Sequence, residues 1–147
     1  MAGDIREFLK QHTWAVVGAS GDPDKYGYKV YFQLKNAGYR VYAVNPNRDH
    51  IDGDRCYPSL TALPEVPDVV NMVVPPAVTE QVVQECIKLG IRRVWMQPGS
   101  ESEMAIAQAE KANIEVVANQ CVLIRMGRVG HDSGAGAHLD KDLSPRA

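Results

Sequence analysis

The chain has 147 residues, the length of one domain, enough to bury ~68–70% of the surface its unfolded form exposes. Apolar residues make up 45% and charged residues 23%, an ordinary soluble composition, and sixteen Lys and Arg against eighteen Asp and Glu give a net charge of -2. This balance argues against a dedicated nucleic-acid binder, whose affinity comes from neutralising phosphates, and no apolar run reaches the ~18 residues of a membrane span.

In chain order, a short helix is expected from about Asp4 to Gln11. The N-terminus lacks the basic start and apolar stretch of a signal peptide, so a cytoplasmic location is expected. Five short apolar runs follow: Trp14–Val17, Val41–Val44, Val69–Val74, Val94–Met96 and Val116–Ala118. Each is rich in β-branched residues and does not alternate with polar ones, the pattern of strands covered on both faces. Helical patterns separate them. Val30, Leu34 and Ala37 recur at i, i+4 and i+7 and stop at Gly38; Val78, Val82, Val83, Cys86, Ile87 and Leu89 end at Gly90. Met104, Ala105, Ala107, Gln108 and Ala112 form a weaker third stripe, with Ser100 and Glu103 spaced as a capping box at its start.

Strand–helix alternation over short connections predicts a Rossmann-like α/β fold, a doubly wound parallel sheet with helices on both faces. The expected sheet has five strands in the order 3-2-1-4-5, the third run lying beside the second. Residues 45–66 are long for a connection, and Ser59 is positioned to cap a partial helix there. The folded domain is expected to span 1–126, and the glycine-punctuated segment 127–147 to be a flexible tail.

Ligands of open parallel sheets bind beyond the carboxyl ends of the strands, where strand order reverses. The loop after the first strand, Gly18-Ala19-Ser20-Gly21 through Gly27, opens a helix. Its glycines admit a close ligand, the helix N-terminus offers N–H groups to a phosphate, Ser20 brings a hydroxyl and Lys25 a charge. It is not G-x-G-x-x-G, and a turn without a ligand is the bland alternative. At the end of the second strand an NAD site wants a carboxylate for the ribose hydroxyls; the chain has Asn45-Pro46-Asn47-Arg48. Arg48 suits a phosphorylated ribose, in NADP as in other nucleotides, or is a solvated surface charge. Pro75, Pro76 and Pro98 stop two strands abruptly and make rigid walls suited to an adenine ring or a pantetheine arm; ordinary strand ends are the alternative.

Catalytic groups are scarce. His12, His50, His131 and His138 have no metal-ligand spacing on a helix, and no Ser/His/Asp arrangement is evident, so no catalytic and no metal residues are assigned. The three cysteines, Cys56, Cys86 and Cys121, form no C-x-x-C pair. Cys121 follows the fifth strand and either faces the crevice or is a buried small hydrophobe.

Five motifs in order carry a family resemblance: Ala15-Val16-Val17-Gly18-Ala19-Ser20, Tyr39 to Pro46, Tyr57-Pro58-Ser59-Leu60, Val94-Trp95-Met96-Gln97-Pro98-Gly99, and Val117-Ala118-Asn119-Gln120-Cys121. From Trp14 to Met126 the chain resembles the small stand-alone CoA-binding proteins, single Rossmann-type domains similar to the CoA-binding domain of the succinyl-CoA synthetase α subunit and of NDP-forming acyl-CoA synthetases. The resemblance implies coenzyme A, or an acyl-CoA, as the ligand. Gly18, Ala19 and Ser20 would meet its phosphates, with Lys25 and Tyr26 nearby. Asn45, Pro46 and Arg48 would border the adenosine, Val74, Pro75 and Pro76 would flank the nucleotide, and Gln97, Pro98 and Gly99 would line the far side. The histidine domain and nucleotide-grasp partner of the larger synthetases have no counterpart in this sequence, so their activity is not implied. The expected function is a non-catalytic carrier, sensor or regulatory module, with room for a homo-oligomer or a protein partner. The alternative is an NADP-binding oxidoreductase or a thiol or acyl exchanger using Cys121.

Overall fold

The computed structural model describes residues 2–129. Its elements are α1 (Ile5–Leu9), β1 (Thr13–Val17), α2 (Tyr26–Asn36), β2 (Arg40–Val44), β3 (His50–Ile51), β4 (Asp54–Tyr57), β5 (Val69–Met72), α3 (Pro76–Leu89), β6 (Arg93–Met96), α4 (Glu103–Lys111), β7 (Glu115–Ala118) and α5 (Val122–Val129). The five apolar runs became β1, β2, β5, β6 and β7. They are buried on both faces because alternate residues feed two separate cores. Trp14 and Val16 of β1, Trp95 of β6 and Val117 of β7 pack beneath α1, α2 and α5, against Phe8, Leu34 and Leu123. Ala15 and Val17, with Val70, Met72, Val94 and Met96, pack beneath α3 and α4, against Val83, Cys86, Ala105 and Ala109. Each fully buried aliphatic or aromatic side chain contributes ~1.5–3 kcal/mol, so the two layers dominate the stability.

The sheet has seven strands, not five, in the order β3-β4-β2-β1-β5-β6-β7. The third apolar run, β5, does not lie beside β2. It pairs with β1, with Val17 opposite Met72, and the place beside β2 is taken by β4. The expected order fails because β4 lies hidden in the 45–66 connection. Its sequence, Asp-Arg-Cys-Tyr, has one buried residue, Cys56, and no apolar run to reveal it. The partial helix expected at Ser59 is replaced by this strand and by tight turns after it. Counted in chain order, the six parallel strands run 3-2-1-4-5-6, and β3 adds an antiparallel edge to β4. Ser102, not Ser100, caps α4: its hydroxyl oxygen accepts from Ala105 N, while Ser100 Oγ accepts from Val74 N at 3.0 Å.

Chain direction reverses between the neighbours β1 and β5. From β1 the chain leaves through α2 on one face, and from β5 through α3 on the other. The crevice therefore opens above Val17 and Met72, where ligands of such sheets bind. The helix α5 takes in the first three residues of the segment 127–147 expected as a tail; the rest of that segment, with His131 and His138, lies outside the described residues.

Candidate functional site: a crevice at the strand reversal

The loop after β1 is held by two glycines. Gly18 has φ +96°, and a Cβ there would sit 2.2 Å from the Val73 carbonyl oxygen. A Cβ on Gly27 would sit 2.0 Å from the Gly18 carbonyl oxygen. Together they let the first turn of α2 press directly on the strand ends. The Gly18 N–H donates to Val44 O at 2.9 Å. Ala19 is fully buried beneath the loop. Ser20 Oγ accepts from Asp22 N at 3.0 Å, which leaves its hydroxyl proton to donate. Lys25 is the N-cap of α2 without a side-chain cap, and no acidic residue stands in the first turn. The first turn of this eleven-residue helix thus carries no acid of its own, while Asp22 and Asp24 stand in the loop before it.

Asn45, after β2, ties the second loop to the first. Its Nδ2 donates to Ala19 O at 2.8 Å, and its Oδ1 accepts from Asn47 N at 2.9 Å. Both ends of the amide are engaged in shaping the crevice. The chain then turns back so that Arg48 stands over Gly21: a Cβ on Gly21 would lie 3.0 Å from Arg48 Nη1. Among the described residues, no carboxylate pairs with Arg48. Beneath it, burial pushes the Cys56 thiol up, partly offset by its contact with the Asn45 carbonyl oxygen.

Two hollows flank the loop. A groove of about 200 Å³ on the α3 side is lined by Val17, Val44, Pro46, Leu60, Val78 and Val82, among others. A deeper cavity of about 110 Å³ on the α2 side is lined by Tyr26, Val73, Gln97, Pro98 and Cys121. Gln97 is 3% exposed, and its orientation is fixed by the backbone. Its Oε1 accepts from Val122 N at 2.9 Å, so its Nε2 is the group that meets Cys121 Sγ, at 3.5 Å. Asn71 Nδ2 donates to the same Oε1 at 3.3 Å.

The structure thus ties Gly18 and Ala19 to the end of β2 and to Asn45, leaves Ser20 bonded within its own loop, sets Arg48 over Gly21, and places Pro46 in the groove and Tyr26, Gln97 and Pro98 around the cavity. Val74 reaches the loop: a Cβ on Gly18 would meet its Cγ1 at 2.8 Å. Lys25 stands at the loop's end, exposed. The exposed Pro75, Pro76 and Gly99 line neither hollow. The prolines have a different task. Pro75 is the N-cap and Pro76 the first residue of α3, where a missing N–H costs nothing. The groove's apolar wall (Val44, Leu60, Val78, Val82) and the buried Asn71 have no site role in the sequence reading, and Gly27 figures there as the end of the glycine loop, not as a spacer against Gly18. Gly27 had a signal, a second glycine at a strand-to-helix junction; Asn71, one polar residue in an apolar run, had another.

A sequence profile described as a CoA binding domain matches residues 12–127. The chain belongs to the CoA-binding domain family. This CoA-binding domain is 35% identical over 109 residues to the ADP-forming acetate–CoA ligase II of Archaeoglobus fulgidus, a match covering 73% of the chain and 16% of the ligase. It is 31% identical to the α subunit of acetate–CoA ligase II of Pyrococcus furiosus, covering 78% of the chain and 28% of that subunit. The chain therefore spans about a sixth to a little over a quarter of these relatives. Among solved structures, a hypothetical protein from Pyrococcus horikoshii superposes with a TM-score of 0.82 at 36% identity, covering 85% of this chain and 89% of that one. No helix among the described residues is long and apolar enough to cross a membrane. No group of three or more His, Cys, Asp or Glu among them is placed to hold a metal ion.

Proposed function

We propose that this domain binds coenzyme A, free or acylated, in the crevice and acts without catalysing a reaction, as a carrier, sensor or regulatory module. The adenine ring lies in the apolar groove between β2 and α3, beside Val44, Pro46 and Leu60. The diphosphate crosses the Gly18–Gly21 loop at the uncapped N-terminus of α2, with the Ser20 hydroxyl and Lys25 at hand. The pantetheine arm turns into the cavity beside Tyr26, Gln97 and Pro98. The observation that carries this reading is Arg48, a guanidinium with no carboxylate partner among the described residues, standing over Gly21 beyond the β2 tip, where a nucleotide site for an unphosphorylated ribose would present an acid. The phosphate on the CoA ribose is the matching anion, and the guanidinium fork binds it through charge-assisted hydrogen bonds. Among the described residues, the cavity lining holds no carboxylate or imidazole to move a proton, which favours a binding role over chemistry.

Isothermal titration with CoA, dephospho-CoA and NADPH tests the proposal. The expected result is one site, tightest for CoA, weaker by tenfold or more for dephospho-CoA, with NADPH weaker than CoA. Absence of heat with CoA and acetyl-CoA at high micromolar concentration overturns it. Tighter binding of NADPH than of CoA would favour the oxidoreductase alternative.

A further inference from the structure

The groove between β2 and α3 is mainly apolar and has a charged inner end. On its α3 side Val78, Gln81, Val82 and Glu85 follow one another at i, i+3, i+4 and i+7, one face of the helix. Val78 stands at the mouth, in the first turn of α3, and Glu85 lies two turns further in, roughly 10 Å along the helix. Pro46, Pro58 and Leu60 form the facing wall. The other polar side chains of the lining are Ser59 and Gln81, and Gln81 is exposed.

Thr61, directly after Leu60, fixes the Glu85 carboxylate. It donates from its backbone N at 2.9 Å and from its Oγ1 at 2.7 Å, and both bonds fall on the same oxygen, Oε2. They join the two walls at the inner end of the groove. Among the described residues no donor occupies Oε1. A tie between the walls needs only one carboxylate oxygen. The second is a fixed acceptor at the end of a slot with apolar sides. Such a slot fits a flat ring that is apolar on its faces and carries an N–H donor on its edge. Adenine is such a ring, with its exocyclic amino group as the donor, whereas guanine and hypoxanthine present a carbonyl oxygen at the same position. A carbonyl oxygen brought against a carboxylate oxygen sets two acceptors face to face, and that contact rejects the wrong base.

We propose that Glu85 selects adenine as the base of the ligand, with Oε1 accepting a hydrogen bond from the exocyclic amino group. This rests on the CoA reading given above and adds to it the residue that reads the base. Thr61 determines what a change at this position does. Its backbone N–H can only donate, so in Glu85→Gln it claims the single amide oxygen and the NH2 group takes the place of Oε1. The tie to Thr61 is kept, but the group offered to the base turns from acceptor to donor.

The test is calorimetry of the full chain with adenosine 3′,5′-bisphosphate, the nucleotide head of CoA, and with inosine 3′,5′-bisphosphate, which carries a carbonyl in place of the amino group. The parent is expected to bind the adenosine form at least tenfold more tightly, and Glu85→Gln to abolish or reverse that preference at an unchanged urea midpoint. A residue that only ties the walls together would shift both affinities alike. Titration with CoA on the same sample separates the two claims. CoA binding with equal affinities for the two bisphosphates, with neither bisphosphate bound, or with an adenosine preference that Glu85→Gln leaves intact overturns the role of Glu85 and leaves CoA binding standing. No heat with CoA overturns both.

Discussion

At the residue scale, the crevice depends on atoms that are missing. Gly27 presses on the Gly18 carbonyl so closely that any side chain must displace backbone, which cannot rotate aside as a flexible side chain can. Overpacking of this kind costs ~1–3 kcal/mol or more. Gly27→Ala is expected at the upper end, lowering the urea midpoint by ~1–3 M at an m-value of ~1–3 kcal/mol/M, and weakening CoA binding in the fraction that remains folded. An unchanged midpoint would mean that α2 is not held against the loop as described. Arg48 is exposed, so Arg48→Ala is expected to leave the urea midpoint within the ±0.5 kcal/mol of ordinary surface changes. Its effect belongs to the ligand. Hydrogen bonds to charged groups contribute ~1.5–3 kcal/mol, so CoA affinity should fall tenfold or more while dephospho-CoA affinity stays level. An equal loss for both ligands would move Arg48 from the ribose phosphate to the diphosphate.

At the element scale, the β3–β4 hairpin forms the edge of the sheet beyond β2, and it is tied to α2 by Asp54. The carboxylate accepts from Lys35 Nζ and from Tyr31 OH, at 3.0 Å for the tyrosine. The bond from Lys35 chiefly holds the Asp54 carboxyl below its usual range, against some desolvation, with Tyr31 adding to it. A carboxylate depressed in the folded state stabilises above its unfolded value near ~3.9 and loses that contribution as pH falls through the folded value. Asp54→Asn should therefore be less stable than the parent at pH 7, by the ~0.2–1 kcal/mol of exposed ion pairs, with the gap closing as pH falls below the usual carboxylate range. A gap that persists unchanged at pH 2 would assign the loss to packing instead. This same hairpin is where the sequence was hardest to read. The five buried strands were legible because both of their faces are apolar. β4, one residue of it buried, offers no such run, and overlooking it displaced the third apolar run to the wrong side of β1. The signal lay in the turn: Asp52 and Gly53 have φ of +48° and +87°, the two positive values that an Asp-Gly hairpin turn requires. The glycine loop, Asn45 and Arg48 were legible as residues at strand ends. The apolar groove was not, since Leu60, Val78 and Val82 come together only through the placement of β5 and α3.

At the scale of the whole molecule, one sheet separates two cores and leaves one crevice, above β1 and β5, with hollows on both faces. The opposite end of the sheet carries a further concavity of about 220 Å³, lined by Ile87, Ile91, Arg92, Asn113 and Ile114 near the amino ends of β6 and β7. It lacks the glycine loop and the helix N-terminus, so a phosphorylated ligand has no reason to choose it. The most direct test of a CoA site at the strand reversal is therefore an amide-resolved NMR titration of the full chain with CoA. Saturable shifts are expected at Gly18–Gly21, Tyr26 and Gly27, Asn45, Asn47 and Arg48, Val73 and Val74, and Gln97, with little change at Arg92 and Asn113. Saturable shifts confined to the Arg92 and Asn113 end, or no saturable shifts at millimolar CoA, would contradict it.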